Sequence, residues 1–373
     1  MDTIKEKLNR ITNFWNHFIW ESKLLQKQIR FNEDVKTNYY GDILVYFDDT
    51  LDLLKDVKKH REGFKDNIFY SIGILQIIYV HQDLIDELLY IFAIDKSSKK
   101  DKNPNREIRN ELIGHPIRRS RDNELQSSVI FGNKLSNDLL HYVKYDRRHE
   151  FEGHQVEYDF DTIIEQHQAF LNKYLDLVWE KAKKILKNYD RKLTEFEKVI
   201  DNNVEFEKVL ALTDQRYNRI FKTNHLFNQE YLLECHNRQM DHRRYGHAIE
   251  LFMNELIESI KGSKENIEVL LHPNTVESSV LPSDNIKIVF SPANANEVQS
   301  SNGTKTYAYE MGKLHRRHPI WGIKFFKTEF EHNAPVMEEL ENMENHYHSD
   351  LEYYCSFELI SYLIENSQRQ TDT

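Results

Sequence analysis

Residues that interrupt regular structure are scarce in this sequence, which has 11 glycines and 7 prolines among 373 residues. Such a low content disfavours β-rich architectures and favours long helices. The sequence also lacks a glycine-rich loop of the kind that cradles phosphates. Its two cysteines, Cys235 and Cys355, are far apart in the chain. Their spacing argues against a zinc finger and against a disulfide framework.

Long apolar runs are also missing. The most apolar stretch, residues 68–80, is shorter than the roughly 20 residues that span a bilayer, and it contains Ser71, Gly73 and Gln76. The first 20 residues carry charges in their first half and lack the apolar centre of a signal peptide. We therefore expect a cytoplasmic protein without membrane association.

Charge is unevenly distributed along the chain. The formal net charge of −11 argues against a protein that coats nucleic acid generically. Residues 95–121 nevertheless hold nine basic and four acidic side chains. Residues 328–373 hold eleven acidic side chains and one basic side chain. The basic segment is the place to search for an anion-binding site, although a solvated face or a loop explains the same charges.

Apolar residues recur at spacings of three and four over much of the chain, which predicts helices. The clearest of these segments are residues 1–30, 33–60, 66–93 and 160–188. Short runs rich in β-branched and aromatic residues occur at 127–131, 139–145 and 154–158. Gly132-Asn133 and Glu152-Gly153 supply turn signals near them. The pattern predicts a small antiparallel hairpin or meander near 127–158, inserted in a mainly α protein.

The chain is long enough for two domains. A boundary near 188–192 gives a helical domain with the β insertion, residues 1–190, and a second, mostly helical domain, residues 191–373. In the second domain, the segments 191–212 and 228–261 predict helices, the latter closed by Gly262. Residues 263–303 carry most of the loop signals. The periodicity from Pro335 to Leu363 predicts one acidic final helix.

The segment 105–116 has the sequence Asn-Arg-Glu-Ile-Arg-Asn-Glu-Leu-Ile-Gly-His-Pro and lies in the basic part of the chain. It predicts a short helix that ends at Gly114, in a left-handed C′ position, and that Pro116 prevents from continuing. In an uninterrupted helix, Arg109 and His115 would lie about 240° apart, at roughly 100° per residue. A break at Gly114 instead allows His115 to approach Arg109.

An arginine and a histidine brought together can perform a defined chemistry. Arg109 keeps its positive charge, whereas an imidazole such as that of His115 can exchange a proton near neutral pH. Such a pair can act on a phosphodiester without a metal ion. The same residues are also typical of an ordinary helix stop beside a solvated arginine. Spacing alone therefore leaves both interpretations open.

The arrangement Arg109-Asn110-x4-His115 resembles the Arg-x4–6-His signature of the HEPN superfamily, in which a polar residue commonly follows the arginine. The run 77–89 also resembles the HEPN helix that packs beside this motif. The resemblance covers roughly residues 40–190, less than half of the chain. It implies an antiparallel helical bundle, a metal-independent endoribonuclease activity, and a homodimer that builds the active site.

The resemblance supplies the reaction, and the residues themselves allow a mechanism for it. His115 would serve as general base or acid, Arg109 would stabilise charge on the phosphate, and Asn110 would orient the phosphate or His115. Asp83 and His81 in the preceding helix would support these groups, although both are also compatible with an interior hydrogen-bond network. The further basic residues expected to contact RNA are Arg106, Arg118, Arg119 and Arg121.

The expected function is therefore a metal-independent endoribonuclease that requires no cofactor and attacks RNA through the ribose 2′-OH. A toxin or a phage-defence effector would fit this activity. Its partners would be RNA, a second copy of the chain bound through the first domain, and a protein regulator or antitoxin. The alternative is a non-catalytic module in which the same basic pocket holds a nucleotide, RNA or an acidic segment of a partner.

Overall fold

The computed structural model describes residues 1–20, 22–36, 39–55, 63–95, 105–119, 123–130, 138–202, 204–272, 307–317 and 319–371. The chain divides into two units, Met1–Tyr189 and Asp190–Thr373. The described residues are mainly helical and include a small four-stranded antiparallel sheet. The predicted mainly α class with a small antiparallel insertion is thus confirmed.

Helices supply most of the first unit. Their bounds are α1 (Asp2–Phe14), α2 (Lys23–Gln26), α3 (Tyr39–Lys55), α4 (Gly63–Ile91), α5 (Arg106–Arg109) and α6 (Phe160–Asp201), whose residues 190–201 belong to the second unit. A π-helical turn, Trp15–Ile19, continues α1, and another, Asn110–Gly114, continues α5. The segment 1–30, predicted as one helix, is therefore divided. Ser22 starts α2 afresh, because its hydroxyl accepts a hydrogen bond from the Leu25 amide at 3.4 Å.

The sheet lies between α5 and α6 in the sequence. Its strands are β1 (Ile117–Arg119), β2 (Leu125–Ile130), β3 (Leu139–Tyr145) and β4 (His154–Asp159), paired antiparallel in that order. The register places Arg118 opposite Gln126, Val129 opposite Val143, and Tyr142 opposite Val156. The three longer strands coincide with the predicted β runs. The sequence did not reveal β1, because its three residues are too few to show an alternating pattern.

The segment after Asn105 is held by the core of the first unit. Ile108 and Leu112, four residues apart, are both buried and belong to one hydrophobic cluster with residues of α4, β3 and α6. The remaining buried members are Leu54, Ile74, Leu75, Ile78, Leu140, Tyr142, Phe160 and Ile163. Burial of each such aliphatic side chain contributes about 1.5–3 kcal/mol. This packing fixes the rotation of α5 and so the direction in which its polar residues point.

Asn105 fixes the start of the same helix. It adopts a left-handed backbone conformation, with φ at 65°. Its side-chain amide donates a hydrogen bond to the carbonyl oxygen of Ile163 at 2.8 Å, and its carbonyl oxygen accepts one from the Arg109 amide at 3.2 Å. Asparagine tolerates this conformation better than most residues. The helix is therefore anchored to α6 immediately before Arg106.

The second unit consists mainly of helices. Their bounds are α7 (Phe206–Arg216), α8 (Gln229–Asn237), α9 (Arg243–Leu271), α10 (Tyr307–His315), α11 (Pro319–Glu329), α12 (Ala334–Asn345) and α13 (Asp350–Thr371). The predicted end at Gly262 is wrong, because α9 continues through it, and a Cβ there would meet no other atom within 4 Å. Most of the predicted loop-rich segment, residues 273–303, lies outside the described residues.

The predicted acidic final helix is two helices, α12 and α13. Asn333 starts the first, since its side-chain oxygen accepts a hydrogen bond from the Val336 amide at 3.3 Å. Ser349 starts the second by accepting one from the Glu352 amide at 3.4 Å. These polar residues compete with continuation of the helix, and apolar periodicity alone does not reveal that competition.

Among the described residues, one helical segment, Lys65–Ile91, is long and apolar enough to cross a bilayer by length and composition. The same criterion is met by the core helices of soluble proteins. This segment contributes Ile74 and Leu75 to the core and fully buries the polar side chains of His81 and Gln82. The most apolar window of this helix is 39% buried, so one side packs in the core and another side is exposed.

Two substitutions of Asn105 separate its hydrogen bond from its backbone conformation. Asn105→Gly keeps the left-handed conformation but removes the second donor to the Ile163 carbonyl oxygen, which should cost about 0.5–1.5 kcal/mol. Asn105→Ala should cost about 1–2 kcal/mol more, because alanine is strained at positive φ. Chemical denaturation followed by tryptophan fluorescence measures both values. Free energies of unfolding within about 0.5 kcal/mol of wild type for both variants would contradict this account.

Candidate functional site

The helix that carries Arg109 ends in a π turn rather than at a left-handed glycine. The amide of His115 donates a hydrogen bond to the carbonyl oxygen of Asn110 at 2.8 Å, which closes the turn. Gly114 lies within this turn and outside the left-handed region, so the predicted C′ role is wrong. A Cβ at Gly114 would lie only 2.8 Å from Nη1 of Arg109. Glycine leaves room here for the guanidinium to pack directly against the backbone.

Every contact that holds the Arg109 guanidinium is with a neutral group. Its Nε and Nη2 donate to Oε1 of Gln76 at 3.4 and 3.3 Å, and its Nη1 donates to Oδ1 of Asn110 at 3.1 Å. Its Cζ lies 4.0 Å from the centre of the Tyr79 ring. Within the described part of the chain, no carboxylate forms an ion pair with Arg109. Among the described residues, the charge is therefore positioned by contacts that do not neutralise it.

The guanidinium of Arg109 retains donors for a further ligand. Of its five N–H groups, three make the contacts to Gln76 and Asn110. One N–H on each terminal nitrogen has no acceptor among the described residues. Two N–H groups of one planar fork match two oxygens of a phosphate or carboxylate. The geometry around Arg109 thus suits an anion.

Arg106 adds a second cation beside the same ring. Its Cζ lies 4.5 Å from the centre of the Tyr79 ring, and its Nη2 donates to the Tyr79 hydroxyl oxygen at 3.3 Å. Its Nη1 forms an ion pair with Asp83 at 3.3 Å. Asp83, expected to support Arg109 or His115, therefore supports Arg106. Since that carboxylate is half exposed, it screens the local positive charge only in part.

Sequence reasoning missed Gln76 and Tyr79, although a signal for them exists. Gln76, Tyr79 and Asp83 follow one another at spacings of three and four, which places them on one face of α4. Asp83 was already a candidate, so its helical neighbours could have been considered with it. Only the packing of α5 against α4 shows that this face receives both arginines.

His115 is exposed and follows directly after Gly114. Within the described residues, no side chain forms a hydrogen bond with its ring. Asn110 instead contacts Arg109, as described above. The structure thus joins Arg109 and Asn110 directly and leaves His115 exposed to solvent.

Glu111 connects the motif to the sheet. Its carboxylate accepts hydrogen bonds from Nζ of Lys144 at 2.6 Å and from the Tyr142 hydroxyl at 2.9 Å. Burial, together with this carboxylate, raises the pKa of Tyr142 above its usual range. Nη2 of Arg118 lies 3.9 Å from Glu111, and its Nε donates to Gln126. Glu111 is thus neutralised by the sheet.

The arginines expected to contact RNA lie partly on β1, directly after the motif. Arg118 is half-buried and Arg119 is exposed, with its Nη1 bonded to the Asn123 carbonyl oxygen at 3.1 Å. Arg121 lies outside the described residues. Arg118 and Arg119 therefore follow the Arg109 region as a short basic strand.

His81 occupies an interior network rather than the motif. It is fully buried, with Nε2 2.7 Å from the Thr50 hydroxyl and Nδ1 3.0 Å from Nε2 of His167. Its ring stacks on Phe47 at 4.9 Å. The reason is helical rotation, because residue 81 lies about 200° around α4 from Tyr79. It therefore points away from the face that receives the arginines.

Comparisons of this chain with protein-family models, curated proteins and solved structures found no match. The HEPN resemblance consequently stays a prediction that rests on Arg109, Asn110, His115 and the run 77–89. Among the described residues, no group of three or more His, Cys, Asp or Glu side chains is arranged to hold a metal ion.

The buried histidine pair should make the first unit sensitive to acid. Burial lowers the pKa of His81 to about 3, and burial and His81 lower that of His167 well below its usual range. Both stay neutral when folded, whereas unfolding exposes groups of pKa about 6.5 that take up protons. Stability is thus complete above about pH 6.5 and falls as pH decreases, by up to about 1.4 kcal/mol per pH unit for each histidine.

Denaturation between about pH 7 and pH 5.5 checks this expectation. His167→Gln should reduce the dependence on pH, whereas the matched variant His115→Gln, at an exposed position, should not reduce it. The account is contradicted if the free energy of unfolding of His167→Gln falls with pH as steeply as that of wild type.

Gly114→Ala should damage the site without unfolding the protein. The added Cβ would displace Nη1 of Arg109, the far end of a flexible side chain, so the free energy of unfolding should change by less than about 1 kcal/mol. The stabilisation that inorganic phosphate gives in thermal melts should nevertheless decrease. Gly73→Ala is the matched control, because its Cβ would meet nothing within 4 Å. Equal phosphate effects in both variants would refute the role of Gly114.

Proposed function

We propose that the first unit is a metal-independent endoribonuclease of the HEPN type, in which Arg109 holds the scissile phosphate. The observation that carries the proposal is the guanidinium of Arg109, fixed by Gln76, Asn110 and the Tyr79 ring, all of them neutral. Its remaining N–H groups have no acceptor among the described residues, and the exposed His115 follows Gly114 directly in the chain. A structural arginine would more typically be paired with a carboxylate.

The proposed reaction uses both groups. His115 takes the proton from a ribose 2′-OH, and the oxygen attacks the adjacent phosphorus. The N–H groups of Arg109 stabilise the negative charge that develops on the pentacoordinate phosphate. The bond from phosphorus to the 5′-oxygen then breaks, and that oxygen receives a proton. The products are a 2′,3′-cyclic phosphate and a 5′-hydroxyl end.

Basic residues beside the motif would bind the neighbouring phosphates. Arg106 lies on the same ring as Arg109, and Arg118 and Arg119 follow on β1. Attraction between arginines and RNA phosphates is largely independent of sequence. Arg121 is assigned to the same track from its position in the sequence alone.

A second copy of the chain is the partner we propose for the surface next to the site. Phe69 is 83% exposed, and Ile72 is 38% exposed. Both precede Gln76 on one face of α4, at spacings of three and four. Ile117, 71% exposed, follows His115 by two residues. Exposed apolar side chains of this kind mark interaction surfaces, and a two-fold contact would supply a second His115 as general acid.

The second candidate function is a non-catalytic binding module. The observation that favours it is the His115 ring, which no other described side chain orients by a hydrogen bond. Catalytic histidines are normally oriented by such a partner. In this case the Arg109 site would hold RNA, a nucleotide or an acidic segment of a regulator, and no bond would be cleaved.

For the first candidate, the endoribonuclease, the biological setting we propose is a toxin or defence effector controlled by an antitoxin.

A cleavage assay in the presence of EDTA distinguishes the two functions. Wild-type protein should cleave total RNA, and His115→Ala and Arg109→Gln should each lose about 10²–10⁴-fold in rate. Arg30→Gln is the matched control, because Arg30 also stacks on a tyrosine, at 4.4 Å from the Tyr90 ring. It should cleave as wild type does.

Three results would count against the nuclease. Cleavage that requires a divalent cation would contradict the mechanism. Full activity of His115→Ala would contradict the assigned base. Binding of RNA by wild type and its loss in Arg109→Gln, without cleavage by either, would establish the binding module.

A further inference from the structure

The two cysteines of the chain meet in the second unit. Cys235 lies in α8 and Cys355 in α13, and both are fully buried. Their Sγ atoms are 3.5 Å apart, although the residues are separated by 120 positions in the sequence. Their spacing in the sequence argued against a disulfide framework, because only the fold brings α8 and α13 together.

We propose that Cys235 and Cys355 form a reversible disulfide that ties α8 to α13. A disulfide requires the two sulfur atoms to approach to about 2.05 Å. The helices already hold the thiols in contact, so small side-chain and backbone shifts complete the bond. This inference concerns the second unit and does not depend on the proposed nuclease.

A polar network fixes the register of the two helices beside the thiols. Arg238, three residues after Cys235, forms an ion pair with Glu352 at 2.7 Å, and Glu352 stands three residues before Cys355. The Tyr245 hydroxyl donates to the same carboxylate at 2.9 Å. Because these contacts join the end of α8 to the start of α13, the two sulfur atoms are held opposite each other in the reduced protein.

The bond can form by exchange with a small disulfide such as oxidised glutathione. The thiolate of one cysteine attacks that disulfide, forms a mixed disulfide and releases one glutathione thiolate. The second cysteine, after losing its proton, attacks the protein sulfur of the mixed disulfide and releases the second glutathione. Two protein thiols thereby lose two protons and two electrons, and the reagent is reduced to two thiols.

Burial determines the rate of this exchange. The thiolate is the attacking species, and both the neighbouring Cys235 thiol and burial raise the pKa of Cys355. Reaction therefore requires α8 or α13 to open locally, and exchange should be slow in the native protein. The same burial protects the bond from reductants once it has formed. The disulfide should thus form slowly and, once formed, be reduced slowly.

Oxidised glutathione added to the full-length protein tests the proposal. One sample is kept native, and one is refolded from urea with the reagent present. After denaturation and alkylation, mass spectrometry should find two alkylated cysteines in the reduced control. The oxidised protein should have none, and a peptide linking Cys235 to Cys355 should appear. The refolded sample should react faster than the native sample.

The thermal midpoint gives a second readout. A disulfide between Cys235 and Cys355, which are 120 positions apart, closes a long loop. It should therefore raise the thermal midpoint of the oxidised protein by roughly 5–15 °C. Cys235→Ser and Cys355→Ser should show equal midpoints with and without the oxidant. Two alkylated cysteines after refolding with oxidised glutathione, or chains linked only between molecules, would overturn the proposal. Both outcomes are measured on the wild-type chain, so they do not depend on whether a cysteine variant folds.

Discussion

Burial of Ile108 and Leu112 is the constraint on which the candidate site depends. These two side chains join the cluster formed by α4, β3 and α6, and each contributes about 1.5–3 kcal/mol by leaving water. Because they fix the rotation of α5, Arg109 is directed to the face of α4 that carries Gln76 and Tyr79. Asn105 fixes the same helix at its start. The position of one cation thus follows from apolar packing around it.

The electrostatics of the site follow from which partners this packing supplies. Arg109 meets two amide oxygens and a ring, whereas Glu111, two residues later, is satisfied by Lys144 and Tyr142 on the sheet. The Glu111 carboxylate is therefore occupied by the sheet. A partly buried guanidinium without a carboxylate gains more from binding an anion than a solvated one does, because water screens it less. This is the physical basis for assigning the site to phosphate.

Local sequence patterns predicted much of the secondary structure. They did not predict features that depend on contacts between elements distant in the sequence. Apolar periodicity located α4, and β-formers located β2, β3 and β4, because each element presents one face to the core. The same reasoning could not choose which face of α4 receives Arg109, so His81 was expected at a site from which it points away. Gly114 was identified as special, but the reason is the adjacent guanidinium, not backbone conformation. The contact between the cysteines depends wholly on the fold.

We propose that Arg109, whose charge no described carboxylate neutralises, binds a phosphate of RNA. The most direct measurement is the affinity for a short RNA with 2′-O-methyl groups, which cannot be cleaved, as a function of salt concentration. Arg109→Gln should weaken binding and lower the slope of log K against log salt by roughly 0.7, the value for one phosphate contact on a single strand. Arg30→Gln should change neither quantity. Equal slopes and affinities in the two variants would contradict the account.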